Sequence, residues 1–467
     1  MNRTLLSLFL YSAVAVAQQS ACTSVLTLRD ANRCTASPRM PDKLPQLDPG
    51  HVYTLPELID LAESASPETR IAWAAARAQL ERAGIEKAAY LPVLAFAAQG
   101  SDARSIVPFP KPLSPRGYVI VEEPLVTAQL EMEYALLDYR RGARVEASRD
   151  AALAATLRLG RTHQQLAYNV ATLFAKAQLE SGRLEAATVI LHTAETLAES
   201  AQSQFDNGRS TLPDLQNALA GVAESRFSLA SAQGAAKKSR LALTEALGVE
   251  PTTEILLAPQ HQFTPEDALA PKVDDLIHAA WKQRPDLLAK ADELKRAQAN
   301  IKAARATYRP TVQLAATGGQ TAVWPTADYG QLGNANVSTW SAAVKLRWEV
   351  FNGARSHEVA AARVEARSAA EEQRAQQDRV TREVWQAYVD LQTALEQQRA
   401  AKAFLDSAQI SYDSSLEAYQ FGVRSLVDVV QAERQLAQAR LASVDAEAQL
   451  SLSASALTFA TGSGVQP

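Results

Sequence analysis

The chain has 467 residues, of which 47% are hydrophobic and 21% are charged. These fractions are typical of a folded protein and exclude an intrinsically disordered chain. The formal net charge of −4 gives no electrostatic reason to expect nucleic acid as a partner. Only 6% of the residues are aromatic while alanine is abundant, which favours long, closely packed helices.

The N-terminus has the pattern of an export signal. Arg3 supplies the positive charge, residues 5–16 form a short apolar segment, and Ala15-Val-Ala17 is a small-residue cleavage site. We therefore predict a signal peptide over residues 1–17. The alternative is a lipoprotein site at Ser20-Ala-Cys22, in which Cys22 carries the lipid.

The two cysteines of the chain, Cys22 and Cys34, both follow the predicted cleavage site. In an oxidising periplasm they either form a local disulfide or remain two unpaired thiols. The six histidines are scattered without a zinc-binding pattern, and no catalytic constellation is present. The sequence therefore predicts no enzyme, no metal site and no cofactor.

The sequence contains a tandem duplication. Pro67 and Pro285 lie 218 residues apart, as do Pro92 and Pro310. Later landmarks lie 214 residues apart, which a four-residue difference in one loop explains. The later pairs are Asp138 and Asn352, Gly208 and Gly422, Asp214 and Asp428, and Gly248 and Gly462.

The duplication divides the chain into six segments. Each repeat is predicted to contain a short helix, a helix ending at a proline, two extended runs, a very long helix, a glycine turn and a returning helix. The predicted segments are the signal peptide 1–17, an N-terminal extension 18–50, a first repeat 51–250, a linker 251–271, a second repeat 272–462 and a tail 463–467.

The extended runs show strict alternation. In residues 339–350 the even positions are apolar and most odd positions are polar or charged, and residues 126–136 show the same period. Shorter partners are predicted at residues 93–99 and 312–317. Such strands are typical of an outer-membrane β-barrel, although a soluble sheet with one solvated face has the same period.

Four strands per chain cannot enclose a lumen, and lipid does not tolerate an open sheet edge. Three copies would provide twelve strands, which favours a homotrimer in contact with outer-membrane lipid. Residues 140–205 keep helical periodicity without proline over about 100 Å. Their apolar positions include many small residues and follow coiled-coil spacing, with Glu180 as the polar interruption.

Several motifs resemble the TolC family of outer-membrane efflux and secretion channels over residues 51–462. They are Leu55-Pro-Glu-Leu, Tyr90-Leu-Pro92, Phe351-Asn-Gly-Ala-Arg355, and the two turn motifs Phe205-Asp-Asn-Gly208-Arg-Ser-Thr-Leu-Pro-Asp214 and Tyr419-Gln-Phe-Gly422-Val-Arg424-Ser-Leu-Val-Asp428. The resemblance implies a mainly α fold with β-strands, in which a trimer builds a 12-stranded outer-membrane barrel and a periplasmic α-barrel of coiled-coil helices.

The same resemblance implies the exit duct of a tripartite efflux or type I secretion system, located in the bacterial outer membrane and extending into the periplasm. The implied partners are a periplasmic adaptor protein and an inner-membrane pump or ABC exporter. Two other classes remain open, a periplasmic adaptor and a coiled-coil scaffold of an export complex.

The resemblance also implies site residues. Gly208 and Gly422 would lie at the helix-turn tips that contact the adaptor. The implied gate and constriction residues are Asp214, Tyr419, Arg424 and Asp428. In this reading Arg424 bridges to a carboxylate, Tyr419 adds a hydrogen bond, and copies of Asp428 form a ring that selects against anions.

Two departures and one alternative bear on this site. Gln431 stands where some relatives carry a further aspartate, and Pro213 alters the first turn. The alternative is that Asp214 and Asp428 only cap the helices that follow them, where the helix dipole favours a negative charge.

Overall fold

A computed structural model describes residues 27–35, 47–48, 50–111, 114–250, 253, 255–258, 272–421 and 423–463. The chain divides into two compact units, the first within residues 1–77, 153–291 and 372–467 and the second within residues 78–152 and 292–371. The predicted signal peptide, Cys22 and Gly422 lie outside the described residues.

The short helices begin and end where local signals place them. Helix α1 (Leu28–Cys34) precedes strand β1 (Val52–Tyr53) and helix α2 (Leu55–Ala65). The Thr54 and Glu57 side chains form a capping box at the start of α2. Its counterpart in the second repeat is α6 (Val273–Gln283).

Proline separates each short helix from the next one. Ser66 and Arg284 are extended, as the residue before a proline tends to be, and helices α3 (Pro67–Ala88) and α7 (Pro285–Ala306) follow at once. Each of these two helices has 22 residues.

The long helices confirm the duplication. Helices α4 (Tyr139–Asp206) and α8 (Ala354–Gln420) have 68 and 67 residues, and α5 (Leu212–Leu247) and α9 (Leu426–Thr461) have 36 each. The returning helices end at glycines with positive φ, 68° at Gly248 and 79° at Gly462, a left-handed conformation that favours glycine. Alanine is the commonest residue type in the buried core of the hairpins, which allows close helix packing.

The second unit contains an antiparallel sheet. Its long strands lie in the order β2 (Val93–Pro108), β3 (Tyr118–Leu137), β5 (Thr311–Val323) and β8 (Ala335–Arg347). The short strands β6 (Thr326–Ala327) and β7 (Gly330–Gln331) extend the pairing beside β3. A separate parallel pair joins β1 to β4 (Leu256–Leu257), inside the predicted linker.

The strand bounds correct the sequence prediction. Strands β2 and β5 run well beyond the predicted residues 99 and 317, while β8 ends at Arg347 and not at Val350. Glycine, serine and charged residues interrupt the alternation in the added parts, so periodicity alone misses them, whereas pairing with β3 and β8 continues the strands through them.

The two faces of the sheet differ as the alternation predicts. Phe96, Leu130, Gly318 and Trp340 occupy one register row across the four strands, and Trp340 is 81% exposed. On the other face, the Thr317 and Ser341 hydroxyls hydrogen bond at 2.9 Å. The described helices include none that is both long and apolar enough to cross a bilayer.

Candidate functional site: the ends of the helical hairpins

The two hairpin ends are the turn between α4 and α5 and the turn between α8 and α9, both in the first unit. At the first, the Thr211 hydroxyl donates to Asp214 Oδ2 at 2.6 Å and the Thr211 backbone N–H donates to the same oxygen at 3.2 Å. These bonds lower the pKa of Asp214, the hydroxyl bond most strongly. Asp214 thus holds the start of α5. Pro213 lies in the first helical turn of α5, where a proline is tolerated.

The second hairpin end repeats this arrangement. The Ser425 hydroxyl donates to Asp428 Oδ2 at 2.8 Å, and the Ser425 backbone N–H donates to it at 3.1 Å. The pKa of Asp428 is lowered by these bonds first and by the nearby positive charge of Arg424 last. Asp428 is exposed, so its charge remains accessible from solvent.

Tyr419 lies near the end of α8 and is only 6% exposed. It packs in a core with Leu197, Leu215 and Val429 from the other three hairpin helices. Its hydroxyl is buried and has no hydrogen-bond partner among the described residues. Burial raises the pKa of Tyr419, and the negative charge of Asp214 raises it further. A buried hydroxyl without a partner is costly. The hydrogen bond predicted for Tyr419 is not formed among the described residues, and it stays a prediction.

Arg424 is exposed in the second turn. Its guanidinium donates to Ser415 Oγ at 3.2 Å, back onto helix α8. In the part of the chain that the structure describes, Arg424 makes no ion pair, so its predicted bridge to a carboxylate is not formed within one copy. A bridge to another copy stays a prediction.

The turn residues present apolar side chains to solvent. Gly208 has a positive φ of 70° and no atom within 4 Å of the position a Cβ would take. Leu212, Phe421, Val423 and Val427 are exposed at the two turns. The tip role of Gly208 and Gly422 stays a prediction.

Two arginines that were not predicted as site residues hold the junctions between strand and helix in the second unit, although Arg355 ends one of the family motifs. Arg141 lies over the ring of Tyr90 at 4.1 Å and donates to the carbonyl of Ala135 at 2.8 Å. Arg355 lies over the ring of Tyr308 at 5.5 Å and donates to the carbonyl of Glu349. The signal was in the sequence, because Arg141 and Arg355 are also 214 residues apart.

The remaining predicted residues give a mixed outcome. Cys34 ends helix α1 and is disulfide-bonded. Its predicted partner Cys22 lies outside the described residues, so the pairing stays a prediction. Within the described residues, no group of three or more His, Cys, Asp or Glu side chains is arranged to hold a metal ion.

The sequence profile of the outer membrane efflux protein family matches residues 58–249 and 276–463, the two repeats in turn. The chain belongs to this family. It acts at the bacterial outer membrane as an export channel. Membership also excludes the two rival readings, a periplasmic adaptor and a coiled-coil scaffold.

Individual relatives agree. Protein CyaE of Bordetella pertussis is 30% identical over 431 residues, which cover 87% of this chain and 83% of CyaE. Cation efflux system protein CusC of Escherichia coli O157:H7 is 28% identical over 309 residues, or 65% of each chain. The open-state crystal structure of the outer membrane channel MtrE of Neisseria gonorrhoeae has a TM-score of 0.72 at 21% identity, covering 88% of this chain and 89% of MtrE. The last comparison confirms the TolC-like fold.

Proposed function

We propose that this efflux protein is a homotrimeric, non-enzymatic duct. It would receive cargo from an inner-membrane pump or ABC exporter through a periplasmic adaptor and release it through the outer membrane. The hairpin ends would form its periplasmic gate. The unpaired edges of the sheet support the trimer. Tyr419 and Arg424, which have no equivalent at the first hairpin end, support the gate.

Strands β2 and β8 border the row of long strands. They have 16 and 13 residues, and among the described residues each pairs with only one long strand. Backbone N–H and C=O groups left unpaired in lipid cost several kcal/mol each, on the order of the penalty for burying a polar group. Edge pairing between copies removes that cost, and three copies give twelve strands. Native mass spectrometry in detergent should therefore give three times the mass of one chain; a monomer or dimer would contradict the trimer.

The gate proposal rests on three polar side chains that could form further ion pairs or hydrogen bonds. Arg424 has no ion pair within the described chain, Tyr419 has a buried hydroxyl without a partner, and Asp428 is an exposed carboxylate. Around a threefold axis, Arg424 of one copy can pair with a carboxylate of the next, and three Asp428 carboxylates would narrow the opening and favour cations.

Single-channel conductance in a planar bilayer tests the gate. The wild-type channel should show small, cation-preferring steps, and Arg424→Ala should raise the conductance because it removes the contact that holds the ends together. Asp428→Asn should reduce the cation preference. Arg209→Ala, an exposed arginine in the first turn, is the matched control and should change neither. An unchanged conductance in Arg424→Ala would contradict the gate assignment.

A further inference from the structure

The sheet of the second unit ends in a belt of exposed rings where strands meet helices. We call the junction belt the residues Tyr90, Tyr139, Tyr308, Arg309 and Trp348. All five are exposed. Trp348 Nε1 donates to the Tyr308 carbonyl at 3.2 Å, and the Arg309 guanidinium lies over the Tyr139 ring at 4.5 Å. These two contacts join four of the five belt residues, because Tyr308 and Arg309 are neighbours in the sequence.

The other arginines at these junctions already have partners. Arg140 lies 3.3 Å from the Asp138 carboxylate. Arg355 pairs with Glu349 at 2.9 Å. Arg141 donates to two backbone carbonyls, at 3.2 and 2.8 Å.

Arg309 differs from them. Among the described residues its guanidinium has no ion pair and no hydrogen-bond acceptor, and it stacks on the ring of Tyr139. Ring stacking holds the cation in place while leaving its N–H groups available. The belt thus presents one fixed, unneutralised positive charge beside four exposed aromatic rings.

We infer that Arg309 binds the phosphate group of an anionic phospholipid in the periplasmic leaflet of the outer membrane. Exposed tyrosine and tryptophan rings at the ends of membrane strands lie at the level of lipid headgroups. A guanidinium at that level matches a phosphate in charge and geometry. This inference rests on the proposed membrane insertion of the sheet, in which Trp348 directly follows the last residue of β8.

The duplication argues against a purely structural role for Arg309. At the 218-residue interval the first repeat has Leu91 in its place, and at the 214-residue interval the second repeat has Gly353 in place of Tyr139. The junction in the first repeat forms without such an arginine. In contrast, Arg141 in the first repeat has an equivalent arginine, Arg355, in the second. The pair of Arg309 and Tyr139 is therefore an addition to the fold.

Native mass spectrometry of the full-length protein, extracted and reconstituted with phosphatidylglycerol and phosphatidylcholine in equal amounts, tests this site. The wild-type protein should retain phosphatidylglycerol in preference to phosphatidylcholine. Arg309→Ala should reduce that preference about five-fold, as expected for one arginine facing an anionic surface. Arg309→Lys should keep part of it. Arg367→Ala, an exposed arginine further along α8, is the control and should keep all of it.

A second pair of variants tests the stacking. Tyr139→Phe keeps the ring and should keep the lipid preference, whereas Tyr139→Ala should lower it. Equal retention of phosphatidylglycerol by the wild-type protein and Arg309→Ala overturns the inference, as does binding of inorganic phosphate without lipid. Conductance of the same samples separates the two proposals: if the channel inserts and conducts without a lipid preference, only the lipid site fails, and if it does not insert, both fail.

Discussion

The two hairpin ends have the same capping box at the start of the returning helix and differ in the side chains around it. Both begin the returning helix with a hydroxyl residue and an aspartate three positions later, Thr211 with Asp214 and Ser425 with Asp428. At the 214-residue interval, however, Tyr419 replaces Phe205, and Arg424 replaces Ser210. The capping box is thus a requirement of the turn itself, since it satisfies the first N–H groups of the helix.

Tyr419 and Arg424 are not needed to form the turn, because the first hairpin turn forms without a tyrosine or arginine at these positions. We infer from this difference that the shared pair stabilises each turn and that Tyr419 and Arg424 belong to the proposed gate. Asp428 serves in both, as a cap and as a proposed constriction residue. A duplicated fold can therefore separate structural residues from functional ones within a single chain.

The joints at the C-terminal ends of α5 and α9 differ in the same way. A Cβ on Gly248 would meet the Cβ of Ala65 at 3.1 Å, whereas a Cβ on Gly462 would meet Arg284 Cγ at 2.8 Å. Arg284 is only 1% exposed and pairs with Asp286 and Glu383, both at 2.6 Å. Its counterpart at the 218-residue interval is Ser66. A buried ion pair thus holds the second joint, whereas at the first joint Arg70 donates to the backbone carbonyls of Ala65 and Ser66.

The largest effect should come from breaking that charged joint. Arg284→Ala leaves Glu383 without its ion-pair partner and removes the donor to the Ala460 carbonyl at 3.1 Å. Asp286 also loses Arg284, but it keeps Arg161 at 3.9 Å and the Gln376 amide at 2.8 Å. We expect a loss of about 3 kcal/mol in the free energy of unfolding, the low end for a broken buried pair because the Glu383 side chain is 40% exposed. Thermal unfolding of the detergent-extracted protein, followed by helical circular dichroism, measures this loss.

Ser66→Ala is the matched control in the first repeat. Its hydroxyl accepts a single bond, from the Glu68 N–H at 3.2 Å. We expect a cost below about 1 kcal/mol. Equal losses in the two variants would contradict the conclusion that the ion pair of Arg284 stabilises the second joint more than the Ser66 hydroxyl stabilises the first.

A smaller effect should follow Gly319→Ala in β5. A Cβ at this position would lie 2.2 Å from the Ala128 carbonyl oxygen in β3, so the strands would have to separate. We expect a loss of about 2 kcal/mol, typical of overpacking. The counterpart at the 218-residue interval is Ser101 in β2, which pairs with one strand, β3, among the described residues.

Gly318→Ala is the control, because nothing lies within 4 Å of its Cβ position. The temperature at which the sheet signal disappears should fall for Gly319→Ala and stay nearly constant for Gly318→Ala. The same fall in both variants would show that the effect is a general response to losing glycine in this strand, and not the close approach to β3.

Much of this fold is readable from the sequence, because its signals are local. The paired prolines reveal the duplication, the absence of proline predicts α4, and the alternation in residues 339–350 predicts β8 and its two faces. The capping boxes are local patterns too, Thr211-Leu-Pro-Asp214 and Ser425-Leu-Val-Asp428. The sequence therefore allowed helix capping by Asp214 and Asp428 to be predicted as an alternative to a gate role.

Long-range contacts could not be read in this way. Arg284 meets Glu383, 99 residues away, and Ala460, 176 residues away, so its environment depends on three helices that come together only in the fold. The contact of Arg309 with Tyr139 joins the two repeats and has no counterpart at the repeat interval. The burial of Tyr419 likewise depends on four packed helices.

The smallest effect concerns the caps and compares the two hairpin ends directly. Its hydrogen bonds give Asp214 a pKa in the folded protein below the ordinary value of about 4. The carboxylate therefore stabilises the first end above its unfolded pKa, and this contribution is lost as the pH falls through the folded pKa. Lowering the pH from 6 to 3 should speed hydrogen exchange at the start of α5 beyond the intrinsic pH effect. Thr211→Ala should speed this exchange already at pH 6, because it lowers the free energy of opening the helix start by about 1 kcal/mol.

Ser425→Ala makes the comparison sharp. If the caps are the shared structural pair, this variant should loosen the start of α9 as Thr211→Ala loosens α5, since the same two bonds to the aspartate are lost. Only Ser425→Ala should also change the conductance, because only the second end carries Tyr419 and Arg424 beside its cap. Exchange that changes at one end and not at the other would refute the shared cap. A conductance change in both variants would place the gate at both ends and remove the division between structural and gating residues.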